Sequence, residues 1–316
     1  MTLPARIDAR TFDALHDDPA AWRAVIEALA LEQGTPAPGV QQELAGTVLV
    51  ARLGSERVLK LYPPFLRDHF EFERAMLARL HGRLRVPTPA LLSSGEREGW
   101  PWLVMTQMAG EPLTATWPAM SEAERCALLR ELGALATEVH ALPVGEVAAL
   151  APRWEDFVAR QRERCVQRQQ RTGLPAHLLA QVPAFIAGPL PEGPAVLLTG
   201  EYTPMNLFTR QHRLAAMFDF GDGLVGPREY DWLGPQCFLV AGVAARSAAF
   251  MRGVGAEVNE ERRLRLMRLL LLHRYSHLKA QLALEGWQDV RSFEELAARL
   301  WPLPQQTVAP HGTEGH

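Results

Sequence analysis

The sequence predicts an α+β protein of two unequal lobes: a small N-terminal lobe with an antiparallel β-sheet and a helix, and a larger, mainly helical C-terminal lobe. Three observations carry this reading. The chain has 316 residues, more than the roughly 250 to 300 that one hydrophobic core usually holds. Short β-branched and apolar runs broken by turn residues are concentrated between residues 42 and 108. Beyond residue 120 apolar residues recur mainly at helical spacing.

Taken in order, residues 1–35 read as a helical lead-in, with Pro19 near a start, Trp22, Val25, Ile26 and Leu29 on one face, and Gly34 and Pro36 stopping the pattern. VLVA and RVLKLY flank LGSE, whose Gly54-Ser55 pair suits a hairpin turn. Phe65 to Leu80 is a helix by the spacing of Phe72, Met76, Leu77 and Leu80. ALLSSG and WPWLVMTQM are two further strands, interrupted at Gly95 and Gly99, and AGEPL around Gly110 is a natural hinge. Ser121 and Glu124 form a capping box ahead of Leu128, Leu132, Leu135 and Val139, on a helix that ends before Pro143. A second helix covers Trp154 to Arg171. The apolar strand AVLL, the loop TGEYTPMN, a strand starting at LF, a turn near Gln211-His212 and a strand AAMFDF follow. Residues 260–284 read as one largely buried helix, and 305–316 as a disordered tail. The expected division is 1–109 and 110–304.

Composition narrows the function classes. The chain is 47% hydrophobic and 22% charged, with 33 Lys plus Arg against 36 Asp plus Glu, so no general basic field exists to hold nucleic acid. Cys126, Cys165 and Cys237 form no CxxC pair, which suits a reducing, cytoplasmic location and argues against a zinc ribbon or disulfide framework. No signal peptide is visible, and no apolar run reaches the roughly 18 residues of a membrane span. Only Lys60 and Lys279 are lysines among the basic residues.

The segment from Thr199 to Asp231 is the most informative. If Leu207 to Arg210 and Ala215 to Phe218 pair as a hairpin, Asn206 stands opposite Asp219 at its open end, and an amide oxygen and a carboxylate converge. Such hard oxygens suit Mg²⁺ together with nucleotide phosphates. Glu201 precedes Asn206 by five residues, the spacing of base and metal-binding amide in H-R-D-x-x-x-x-N, and Asp219-Phe220-Gly221 spells D-F-G. Lys60 on a strand and Glu73 on the next helix complete the order that phosphate chemistry requires, a cation steadied by a carboxylate.

With these residues in view, the chain resembles the aminoglycoside phosphotransferase superfamily, relatives of choline kinase and of protein kinases. The resemblance spans about residues 40–240 and rests on PWLVMTQMAGEPL, ELGALATEVHALP, TGEYTPMNLF, MFDFGD and GPREYDWL. RIDARTF and SFEELAARLWPLP are similar to hygromycin B phosphotransferases. It implies a bilobal protein-kinase-like fold and transfer of a phosphoryl group from ATP (or GTP), with Mg²⁺, to a hydroxyl of a small molecule, for instance a cationic aminoglycoside or other amino alcohol. By position it implies Lys60 on the phosphates, Glu73 as its partner, Asn206 and Asp219 on the metal, and Gln107 and Met108 beside adenine. Glu201 takes the place of the catalytic aspartate, and Asp231 is a buried brace. Two positions depart from the usual H-G-D: Thr199 replaces the histidine and Glu201 the aspartate.

Other readings use the same residues. A nucleotide-binding module without turnover is the alternative function, favoured by Thr199 and Glu201. A protein kinase is disfavoured because Asp231 comes only twelve positions after Asp219 and no APE follows. Gly221, Gly223 and Gly226 match GxGxxG but read as a turn after Asp219. His273 and His277 sit at i, i+4 as zinc ligands can, without a third ligand, and read as structural. His140 reads as a packing residue, and Trp100, Trp102 and Trp117 as lobe core. Asp222, Glu155, Asp156 and Glu229 are candidates to face a cationic acceptor.

Overall fold

A computed structural model describes residues 3–4, 6–43, 46–200 and 202–303. The tail from residue 305 and Glu201 therefore lie outside the described residues. The lead-in forms two helices. Helix α1 (Ala9–His16) is capped by the Asp8 carboxylate, which accepts from the Thr11 amide at 2.7 Å, and α2 (Pro19–Glu32) carries its proline at the first position, where no amide is needed. They cover one face of a five-stranded antiparallel sheet of β1 (Val40–Glu43), β2 (Leu49–Leu53), β3 (Arg57–Leu61), β4 (Leu91–Arg97) and β5 (Trp100–Thr106), in spatial order β1-β2-β3-β5-β4.

Strand alternation divides the sheet's two faces. Leu59 and Leu61 of β3 pack with Trp22, Ile26, Leu29 and Trp100 under the lead-in helices, while Val58 and Tyr62 face the main core. With a side-chain period of two, Lys60 shares the face of Val58 and Tyr62. Helix α3 (Arg67–Leu80) lies against that second face, burying Phe72, Met76, Leu77 and Leu80. Strand β4 runs through Gly95 without interruption. Gly95 pairs with Trp102, and any Cβ there would stand 2.6 Å from the indole ring, so the glycine makes room for an aromatic residue and does not end the strand. The three tryptophans do not form one core: Trp100 and Trp102 belong to the lead-in side, whereas Trp117 lies under the guanidinium groups of Arg125 and Arg246.

After Thr106 the chain crosses to a second region and is tied there at once, because β6 (Glu111–Pro112) pairs with a hairpin made later by β8 (Leu207–Arg210) and β9 (Arg213–Met217). Strand β7 (Val196–Leu198) pairs antiparallel with β10 (Leu224–Gly226). Around these small sheets stand α4 (Glu122–His140), α5 (Trp154–Arg171), α6 (Leu233–Phe238), α7 (Ala244–Gly253), α8 (Glu260–Leu272) and α9 (Phe293–Leu300). The capping box of Ser121 and Glu124 is formed. Among the described residues no helix is long and apolar enough to cross a membrane.

Two further expectations fail. The helix expected over 260–284 stops at Leu272 and resumes only as the short turn Leu278–Gln281, so His273 and His277 do not share a helix face. Tertiary partners draw the intervening segment out: His273 stacks on Tyr230 at 4.9 Å, and the buried Ser276 hydroxyl accepts from Gln169 at 2.7 Å. The hairpin register is also off by one. Phe208 pairs with Ala216 but Thr209 with Leu214, leaving Ala215 as a bulge residue, and Asn206 stands opposite Phe218, whose amide donates to its carbonyl at 3.1 Å.

The GxGxxG reading is excluded by topology, since β10 is an antiparallel three-residue strand and a Cβ on Gly223 would stand 2.0 Å from Phe72. A different close approach organises the helical region: a Cβ on Gly133 of α4 would meet the Phe250 carbonyl at 2.5 Å and Gly253 Cα at 2.9 Å. Backbone cannot yield there as a side chain can. Gly133→Ala is expected to cost about 1 to 3 kcal/mol, read as a lower urea midpoint at unchanged slope.

Candidate active site

Lys60 is 5% exposed, held in register between Val50 and Leu103. Its ammonium donates to Glu73 Oε1 at 2.7 Å and to Asp219 Oδ1 at 2.8 Å. Glu73 comes from α3 and is 1% exposed, and its second oxygen accepts from the Tyr62 hydroxyl. Burial alone would lower the lysine pKa, but Asp219 and Glu73 more than offset it and hold it above the ordinary value. Burial pushes the Glu73 carboxyl upward against the pull of Lys60.

Asp219 follows β9 with φ +70°, a left-handed conformation that Asp tolerates better than most residues. That turn brings its carboxylate to Lys60, even though the tight turn at Gln211-His212 leaves Phe218 and not Asp219 opposite Asn206. Asp219 and Asn206 still line the same cavity of about 580 Å³. The Asp219 side chain remains 45% exposed while one of its oxygens serves Lys60. Lys60, Glu73 and Asp219 together carry one excess negative charge when all are ionised. A carboxylate and an amide oxygen on one wall fit a hard divalent ion that takes its remaining ligands from phosphates and water. Among the described residues no cluster of three or more His, Cys, Asp or Glu could hold a metal without such help.

Gln107 and Met108 lie where the sheet hands over to the helical region and line the same cavity, with Val50, Val58, Met105 and Pro89 forming an apolar slot. The Gln107 amide donates to the Glu56 carbonyl at 2.7 Å, and its side-chain nitrogen to the Met108 carbonyl at 3.3 Å. Glu201 itself lies outside the described residues, but the loop that enters it is firmly held. Asp231, 1% exposed, accepts from the Thr199 amide at 3.1 Å and the Gly200 amide at 2.8 Å. His140 adds a bond at 2.9 Å to the same carboxylate, so it is more than the packing residue expected. Thr199 keeps the backbone contact with Asp231 and lies 1% exposed.

Sequence reasoning missed the segment His273–Tyr275. His273 lines the cavity, its Nδ1 accepts from the Tyr275 amide at 3.2 Å, and the ring also bonds the Gly200 backbone. Only the dense pairing of aromatic and basic residues in HRYSH hinted at a role. Of the four acidic residues considered for the acceptor, Asp222 alone lines the cavity.

Burial, then the charges of Arg274 and Arg168, lower the His273 pKa to about 3. A depressed folded-state pKa means that the unfolded chain takes up the proton first. The stability associated with neutral His273 is therefore present above about pH 6.5 and lost as pH falls toward 3. Wild type is expected to lose up to about 1.4 kcal/mol more per pH unit in that window than His273→Asn, which retains an acceptor near Nδ1. Urea titrations at several pH values check this; parallel pH slopes for the two proteins would show that the histidine does not control the acid limb.

The phosphotransferase enzyme family matches residues 41–265. Among solved structures, the chain is similar to the macrolide 2'-phosphotransferase MphH from Brachybacterium faecium, with TM-score 0.59 and 20% identity, covering 90% of this chain and 100% of that one. It is similar to a streptomycin–ATP complex of APH(2")-IIa, with TM-score 0.58 and 15% identity over 77% of this chain and 88% of that one. It is also similar to a thermostable variant of APH(4)-Ia bound to ADP and hygromycin B, with TM-score 0.55 and 17% identity over 87% of this chain and 96% of that one. At these identities the structural likeness is one of fold, an α+β kinase-like architecture, and the family match spans the sheet, Lys60, Asn206 and Asp219 together. The chain belongs to the phosphotransferase enzyme family.

Proposed function

We propose that the protein transfers the γ-phosphoryl group of ATP, or GTP, to a hydroxyl of a small molecule with the help of Mg²⁺. The observation that carries this reading is the buried Lys60 ammonium, 2.7 Å from Glu73 and 2.8 Å from Asp219, on the wall of a cavity that Asn206, Gln107 and Met108 also line. In the proposed roles the apolar slot at Gln107 and Met108 takes the base. Lys60 binds the α- and β-phosphates, and Glu73 keeps its ammonium aimed. Asn206 and Asp219 hold Mg²⁺, which when bound neutralises charge on the phosphate oxygens. Asp231 and His140 fix Thr199 and Gly200, so that Glu201 is presented to accept the proton of the attacking hydroxyl. The transition state of such a transfer is loose, and positioning counts for more than early proton removal, which leaves room for glutamate in place of aspartate. Among the described residues no feature favours a module without turnover. Cys126, Cys165 and Cys237 are free, in keeping with a reducing cytoplasm.

Nucleotide with Mg²⁺ is expected to raise the melting temperature, since a ligand at 100 times its Kd stabilises by about 2.7 kcal/mol. No shift with either ATP or GTP, together with no calorimetric heat, would remove the basis for this function.

A further inference from the structure

From the lining of the acceptor half of the cavity we infer that the acceptor is a neutral alcohol with an apolar body, an inference that rests on the phosphotransferase reading above. Beyond the phosphate-binding residues the wall is made by Leu233, Cys237, Phe238 and Leu270, with Met205 and Tyr275 projecting beside them. Met205 is 52% and Tyr275 42% exposed. Large apolar side chains left open within a concave site are surface that a ligand covers.

Charge complementarity points the same way. The described residues that line the whole cavity include three carboxylates, and each has a partner. Asp219 accepts from Lys60. Glu43 pairs with Arg52 at 2.7 Å. Asp222 accepts from the Tyr275 hydroxyl at 2.6 Å and from Arg274 at 3.3 Å, with His69 at 3.4 Å, and its side chain is only 15% exposed. A polycation entering here would meet Glu43 and Asp222 already paired with arginines, while the excess charge at Asp219 is directed to Lys60 and the proposed Mg²⁺, and it would lose hydration to apolar walls. Glu155 and Asp156 are exposed, Glu229 is half-buried, and none of the three is part of the wall. An alcohol with a hydrocarbon body pays no such desolvation penalty and gains from covering Met205 and Tyr275.

The step balances as an ordinary phosphoryl transfer. A bond forms from the acceptor oxygen to the γ-phosphorus, and the bond from that phosphorus to the β,γ-bridging oxygen breaks. ADP leaves with the electron pair, and the hydroxyl proton passes to Glu201 and then to solvent.

The test uses the whole protein with Mg²⁺ and ATP, following ADP release and the mass of the product. One panel holds 4-tert-butylcyclohexanol, 4-phenylbutan-1-ol and an uncharged macrolactone aglycone; the other holds gentamicin and hygromycin B. The best neutral alcohol is expected to exceed either polycation in kcat/KM by about 100-fold. Its KM should hold steady from about 0.05 to about 0.5 M KCl, because no ion pair is screened. Tyr275→Ala is expected to raise that KM about tenfold through lost apolar contact. Tyr275→Phe, which keeps the ring, should recover most of that loss, and the ATP-induced melting shift should be the same in both variants. Preference for a polycation, or equal use of both panels, overturns the inference. So does an ATP-induced shift accompanied by neither turnover nor calorimetric binding of the neutral panel. Absence of the ATP shift itself would instead bring down the phosphotransferase reading on which the inference rests.

Discussion

Asp219→Asn is expected to abolish the dependence of nucleotide binding on Mg²⁺ and to lower kcat/KM by about 10² to 10³ or more. The substitution changes little in shape. Asn is, with Asp, among the residues that best tolerate the left-handed backbone found here at φ +70°, so the turn after β9 should persist. What changes is charge. With Lys60, Glu73 and Asp219 ionised the cluster carries one excess negative charge; with asparagine it is neutral, and a divalent ion loses its anionic protein ligand. Lys60 also loses one of the two carboxylates that hold its pKa up. The measurement is the melting shift with nucleotide, with and without Mg²⁺, beside initial rates. A variant that keeps the wild-type metal dependence would remove Asp219 from the metal site.

The second large effect concerns Glu201. Glu201→Gln keeps the size of the side chain and removes its proton affinity, and it is expected to lower kcat by about 10² to 10⁴ with little change in the KM for ATP. Glu201→Asp is expected to lose activity as well. It restores the usual residue of the family motif but retracts the carboxylate by about an ångström, and misplacement on that scale costs about 10²-fold. The loop leading into Glu201 has little freedom to follow, because the Thr199 and Gly200 amides are both bonded to Asp231. Wild-type kcat in Glu201→Gln would show that another group, or solvent, takes the proton. Full activity in Glu201→Asp would show that the loop adjusts to the shorter side chain.

What could be read in the sequence was whatever is encoded within a few residues of itself. The β3 strand announces itself by the RVLKLY run, and a period of two puts Lys60 on the face of Val58 and Tyr62. The capping box at Ser121 and Glu124 starts α4 where expected, and the helix over Trp154–Arg171 has its expected ends. Chain order alone also named Lys60, Glu73, Asn206 and Asp219 as one constellation; the structure places Lys60, Asn206 and Asp219 on the wall of one cavity, with Glu73 buried behind Lys60 and in contact with it. What the sequence did not disclose depends on partners far away in the chain. The hairpin turns on Gln211 and His212 alone, a shift of two positions of which the bulge at Ala215 recovers one, so Phe218 faces Asn206, and nothing in RQHRLAAM marks either feature. The helical pattern after residue 260 is locally sound as far as His273. The break arises because stacking on Tyr230, 43 positions earlier, and the bond from Gln169 to Ser276 outweigh the hydrogen bonds of further helix. His140 and Asp231 meet across 91 residues to brace the loop before Glu201. Asp222 reads in sequence as an open acidic group. Only the fold, by bringing Arg274, Tyr275 and His69 around it, decides that its charge is already compensated, because electrostatic pairing depends on distance in space and not on separation along the chain.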